Sequence, residues 1–156
     1  MSDIISYKML APGSEAEACE LIERVFMEFV APGYSQRGVD EFMSYVNAAR
    51  MAERRTQNHF AVAAHCAGRI IGVIEIRGNE HVSLMFVDKE HHGRGVCRTL
   101  FDNAVDHIRA AGRAPSAMTV NSSPFAAPVY VRLGFSVQEP EKEINGIRFI
   151  PMKMEL

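Results

Sequence analysis

No stretch of the 156 residues approaches the roughly 20 consecutive apolar positions that cross a bilayer, so no membrane partner is expected. Excess positive charge is also missing. A formal charge of -2 gives no general attraction for phosphate backbones, and no strong basic patch stands out, so no nucleic-acid partner is expected. The three cysteines, Cys19, Cys66 and Cys97, are widely spaced and include no CxxC pair, which speaks for reduced thiols and against a zinc site or redox dithiol. His59, His65, His91, His92 and His107 show no HExxH or other ligand spacing, so no metal is expected. The opening residues lack the basic start, apolar middle and small-residue cleavage site of a signal peptide, which leaves the cytoplasm as the expected compartment. No repeat and no Pro/Gly/Ser linker divides the chain. At this length and an average composition, 47% hydrophobic and 23% charged, one domain over residues 1–156 is expected.

What is present reads as closely spaced elements. Ile4–Leu10 predicts a strand, and Pro12-Gly13 breaks the chain before Ser14, which the spacing pairs with Glu17 as a reciprocal helix cap. Leu21, Ile22, Val25 and Phe29 form that helix's apolar stripe. A second helix carries Val39, Phe42, Met43 and Val46 on one face, with acidic Asp40-Glu41 at its start and Arg50, Arg54 and Arg55 at its end, matching the helix dipole. Phe60–Ala64 and Ile70–Ile76 flank an Ala67-Gly68 turn as a hairpin, and Gly78-Asn79 turns into a fourth strand, His81–Val87. Val96, Leu100, Ala104 and Ile108 then recur every four residues up to Gly112, predicting a helix. Ala117–Asn121 is the next strand, so the two strands flanking that helix should lie parallel. A short helix at Pro128–Leu133 and a hairpin over Asn145-Gly146 into Arg148–Met154 complete the order βααβββαβαββ. The fold class is α/β (α+β): a mixed sheet of about seven strands with helices on both faces. Arg148–Met154, as the terminal strand, is a candidate for pairing across a homodimer.

The segment from Val87 to Cys97 carries most of the chemistry. Gly93 and Gly95 let the backbone turn tightly and present N–H groups where the next helix begins, at its partially positive end, which suits an anion. A lone Gly-x-Gly also occurs in ordinary tight turns. There is no GK[ST] and no GxGxxG after an N-terminal strand, which sets aside the P-loop and the dinucleotide fold.

The whole strand, loop and helix block resembles motif A of the Gcn5-related N-acetyltransferase (GNAT) family, in which Gln/Arg-x-x-Gly-x-Gly/Ala cradles the pyrophosphate of CoA. Here the six positions read His92, Gly93, Arg94, Gly95, Val96 and Cys97, so His92 replaces the usual Gln or Arg and Cys97 the usual Gly or Ala. A second stretch, Asn121 to Phe135, is similar to the family's motif B: an Asn after strand five, then a helix carrying Tyr130, then Gly134-Phe135. The resemblance implies strands four and five that splay apart, acetyl-CoA as co-substrate, and transfer of its acetyl group to a small-molecule or peptide amine by direct attack in a ternary complex. It further implies that Phe86 and Val87 meet the pantetheine arm and that Tyr130 lies near the CoA sulfur. The rival reading is a non-catalytic acyl-CoA-binding sensor on the same fold.

Acetyl transfer to an amine requires a neutral nucleophile, stabilisation of the oxyanion and a proton for the departing thiolate. Tyr130, whose phenol has a reference pKa of about 10, is the expected general acid. For the base, the resemblance points to His81, six residues before Val87, where the histone-acetylating branch carries a catalytic Glu; Glu75, on the neighbouring strand, competes with it. Phe29, Tyr34 and Phe42 are candidate walls of the acceptor pocket, Tyr34 the better one. Cys97, at a helix N-terminus, is a possible low-pKa thiol, with a spacer role preferred.

Overall fold

The computed structural model describes residues 4–156. Its strands are β1 (Ile5–Met9), β2 (His59–Cys66), β3 (Arg69–Arg77), β4 (His81–Val87), β5 (Ala117–Ser122), β6 (Ser136–Val137), β7 (Lys142–Ile144) and β8 (Ile147–Glu155). Its α-helices are α1 (Glu15–Phe29), α2 (Gln36–Tyr45), α3 (Ala48–Arg55), α4 (Val96–Ala110) and α5 (Ala127–Leu133). The sheet runs β1-β2-β3-β4-β5-β8-β6, with β7 also on β8. Among the described residues only β4 and β5 pair in parallel. The mixed sheet and the parallel crossover agree with the sequence reading, and the short β6 adds an eighth strand. Helices cover both faces: Val96, Leu100, Ala104 and Ile108 of α4 meet Val62, Ile74 and Ile76, while Ala18, Leu21, Ile22 and Val25 of α1 meet Ala61, Val73 and Leu84.

Two expectations are corrected. Ser14 stands at the N-cap of α1 without a side-chain bond, because Glu17 reaches across to accept the Ile70 N–H (2.8 Å), while Glu15 accepts from Gly13 (3.0 Å). The second helix is two. Asn47 stops the run and starts a new helix, its side chain accepting the Arg50 N–H at 2.9 Å, as an N-cap asparagine does. The break redirects Arg54 and Arg55 onto the sheet and α1, where Arg55 pairs with Glu15 and with the Leu10 carbonyl. β8 pairs with β5 along Ile150–Glu155, with β6 at Met152 and Lys153, and with β7 along Ile147–Phe149.

Two local features set the site. The β4–β5 pairing is confined to His81↔Thr119 and Val82↔Val120; from Ser83 onward the strands diverge. At the same place β4 bulges. Val82 faces Ile76 and Leu84 faces Glu75 across β3, so Ser83 is the extra residue. Alternation reverses there, sending Val82 to the α4 side and Leu84 to the α1 side.

Candidate active site

Beyond the divergence lies a cavity of about 1310 Å³, walled by the end of β4, the loop into α4, the start of α5, the ends of α1 and α2, and the β7–β8 hairpin. At one end, Gly93 (φ +76°) and Gly95 (φ +75°) both take the left-handed conformation, and Gly95 is the N-cap of α4. The first N–H groups of a helix have no partner within it. A Cβ on either glycine would meet no protein atom within 4 Å, so φ, not crowding by the protein, requires glycine here, and the space beside the turn is open. His92 anchors the loop: its Nε2 lies 2.7 Å from the Val87 carbonyl, donating a proton to it. The donor-rich turn, the open space and the gap between β4 and β5 fit a pyrophosphate with a narrow arm running inward.

Tyr130 stands on the wall of the same cavity. Its place follows from Gly134, which ends α5 in the left-handed conformation (φ +115°) so that Phe135 folds back, donating its N–H to the Tyr130 carbonyl (2.9 Å). The Phe135 ring then meets Tyr130 edge-on at 5.4 Å and Phe101 at 5.5 Å. Among the described residues nothing hydrogen-bonds the Tyr130 hydroxyl. Burial, reinforced by nearby Cys97, pushes its pKa well above the usual phenol range. Cys97 also lines the cavity, and burial raises its thiol to about 11, which corrects the expectation of a low-pKa thiol.

The cavity wall includes Phe86, Val87, His92, Gly93, Gly95, Val96, Asn121, Tyr34 and Phe42. Arg94 sits between the two glycines of the turn. Three expected residues lie elsewhere. Phe29 packs outside the wall, against His92 (5.4 Å) and Phe125 (5.1 Å). Glu75 is fully buried, gripped in a fork by Arg54 Nε (2.7 Å) and Nη2 (3.0 Å), with His59 Nδ1 at 2.6 Å. It does not line the cavity. His81 sits at the closed end of the β4–β5 pair, its Nδ1 2.8 Å from Thr119 Oγ1. Burial, with Arg77 and His59 nearby, lowers its pKa from 6.5 to about 4. Neither residue is placed to take a proton from an amine in the cavity. Sequence reasoning missed Tyr45, Ser83, Ile147 and Phe149 on the cavity wall.

His81 therefore bears on stability instead. Unfolded chain binds more protons than folded chain between pH 6.5 and about 4, so the fold loses stability as pH falls through that window. His59, whose pKa burial also lowers, acts in the same direction. In His81→Gln the fall of Tm between pH 6.5 and 4 should be shallower, and the pH profile of turnover should keep its shape. An unchanged Tm profile, or a lost limb of activity, would reverse this assignment.

A model of the acetyltransferase (GNAT) domain matches residues 30–156, which include the glycine turn, α5 and the β7–β8 hairpin. The chain belongs to the GNAT acetyltransferase family. Solved structures of similar fold include a GCN5-related N-acetyltransferase of Rhodopseudomonas palustris, 21% identical with a TM-score of 0.83 over 100% of this chain and 99% of that one. This GNAT chain is also similar to the PaiA N-acetyltransferase of Thermoplasma acidophilum, solved in complex with coenzyme A (17%, TM-score 0.79, 100% of both chains). A third is a spermidine N-acetyltransferase chimera from Vibrio cholerae (18%, TM-score 0.65, 97% of this GNAT chain and 95% of that one). No curated protein matches this GNAT chain significantly. Among its described residues no helix is long and apolar enough to cross a membrane, and no group of three or more His, Cys, Asp or Glu could hold a metal ion.

Proposed function

We propose that the protein is an acetyl-CoA-dependent N-acetyltransferase that moves the acetyl group to a primary amine by direct attack in a ternary complex. One observation carries this reading: a single cavity runs from the glycine turn, past Tyr130, to an aromatic chamber under α2. The turn at α4 holds the pyrophosphate and the edge of β4 from Phe86 to Val87 lies along the arm. Acetyl-CoA supplies the activated acyl group. The amine nitrogen forms the new bond to the acyl carbon, the C–S bond breaks with its electron pair going to sulfur, and the proton of the amine leaves to solvent. Tyr130 keeps its proton at every working pH, so it acts as a hydrogen-bond donor to the departing sulfur, full transfer from so weak an acid being uphill.

Thiol release from acetyl-CoA, measured with a panel of primary amines beside calorimetric titration of acetyl-CoA, tests the reading. Saturable binding and amine-dependent release are expected. Tight binding without release under any amine would favour the sensor. In Gly95→Val, a β-branched residue forced to positive φ must shift the turn, and acetyl-CoA binding should weaken at least about tenfold. Unaltered affinity in that variant would remove the turn from the site.

A further inference from the structure

The cavity has a polar centre that the CoA-binding machinery does not use. Ser83, the bulge residue of β4, is the first position past the last β4–β5 pair and stands in the cavity wall. Its Oγ is buried and has no hydrogen-bond partner among the described residues. Such a hydroxyl is costly to leave unmet, and in a cavity wall it points to a ligand. The Tyr45 hydroxyl faces Ser83 closely enough to interact, yet no bond of good geometry joins them.

Tyr45 is the last residue of α2 and is held from behind. The Arg54 guanidinium lies 3.7 Å from the centre of its ring, and Arg54 Nη1 donates to its backbone carbonyl at 2.8 Å. Arg54 in turn is fixed by the two bonds to buried Glu75. A rigid ion pair thus backs one hydroxyl and a strand bulge presents the other. Around them the wall carries the apolar side chains Phe42, Ile147 and Phe149 and the ring of Tyr34, with Glu41, Ser44 and Arg50 from the helices on the same wall.

We infer that Ser83 and Tyr45 receive the amino nitrogen of an acceptor with an apolar body, and that Arg54 and Glu75 are positioning residues acting through Tyr45. This rests on the acetyltransferase reading above and names its acceptor class. The amine donates an N–H to Ser83 Oγ and keeps its lone pair free for attack. Tyr45 Oη accepts a second N–H of the neutral amine, so neither contact occupies the lone pair.

The test is calorimetric titration of 2-phenylethylamine into the 156-residue chain saturated with CoA. Saturable one-to-one binding is expected. Ser83→Ala and Tyr45→Phe should each weaken it about tenfold or more, the loss of one hydrogen bond to a charged or polarised group. Ser83→Thr, which keeps the hydroxyl, should stay within about threefold of the parent. Arg54→Lys keeps a charge opposite Glu75 but not the planar fork, so it should weaken the amine and leave CoA affinity intact. Thermal melting of each variant identifies any that fail to fold. No saturable amine binding by the parent, or Ser83→Ala binding as tightly as the parent, would overturn the inference while CoA binding stands. A parent protein that does not bind CoA would overturn the acetyltransferase reading as well.

Discussion

Replacing Arg54 with alanine is expected to cost the fold about 3–5 kcal/mol, the range for removing one partner of a buried ion pair. Glu75 has no exposed surface, and Arg54 supplies both charged bonds to it. His59 Nδ1 is near, at 2.6 Å, but burial lowers its pKa, so at neutral pH it brings no compensating charge. The loss should appear as a lower urea midpoint with an unchanged slope. Arg54→Met combined with Glu75→Met should recover most of it, because the penalty lies in the orphaned carboxylate and not in the absent pair. A loss below about 1 kcal/mol in the alanine variant would show that His59 alone satisfies Glu75.

In Tyr130→Phe, turnover is expected to fall about 10²–10³-fold with acetyl-CoA affinity nearly unchanged, the scale seen on removing one donor aimed at developing charge. The hydroxyl has no partner among the described residues and the ring keeps its edge-on contact with Phe135, so stability should scarcely move. Burst and steady-state thiol release, read beside calorimetric affinity, separate chemistry from binding. Turnover within about threefold of the parent would reduce Tyr130 to a packing residue.

The glycine turn was legible in the sequence because left-handed backbone is a local demand that a residue type announces, whereas Gly134-Phe135 was marked only by the resemblance to motif B. Tyr34 could be read as a rim residue because it falls in the loop between two helical patterns. His81 could not be placed by counting back from Val87. The bulge at Ser83 adds one residue to β4, so the face of every earlier position reverses, and His81 ends beside Arg77 and His59 at the closed end of the strand pair. Glu75 was misread for a different reason. Its partner lies 21 residues away on a helix that sequence periodicity merged with α2. Asn47, a good N-cap residue in mid-pattern, was the available sign of that break. The Ser83–Tyr45 pair depends on both the bulge and the break, and neither is visible in residue spacing alone.

The rim of the cavity closes where α2 touches the β7–β8 turn, Arg37 donating to Asn145 at 2.9 Å and Tyr34 to the Arg148 carbonyl at 3.1 Å. Between those bonds Gly38 meets Gly146 backbone to backbone: a Cβ on Gly38 would run into the Gly146 carbonyl, and one on Gly146 would stand 2.6 Å from Ser35 Oγ. Two distant stretches of chain are thereby bound to a shared sequence choice. Neither glycine can be exchanged alone, and a side chain gained at one cannot be accommodated by shrinking the other, which is already minimal. Any change in what the cavity admits is therefore left to other residues of its wall, such as Glu41, Ile144 and Ile147, while the seam itself stays fixed.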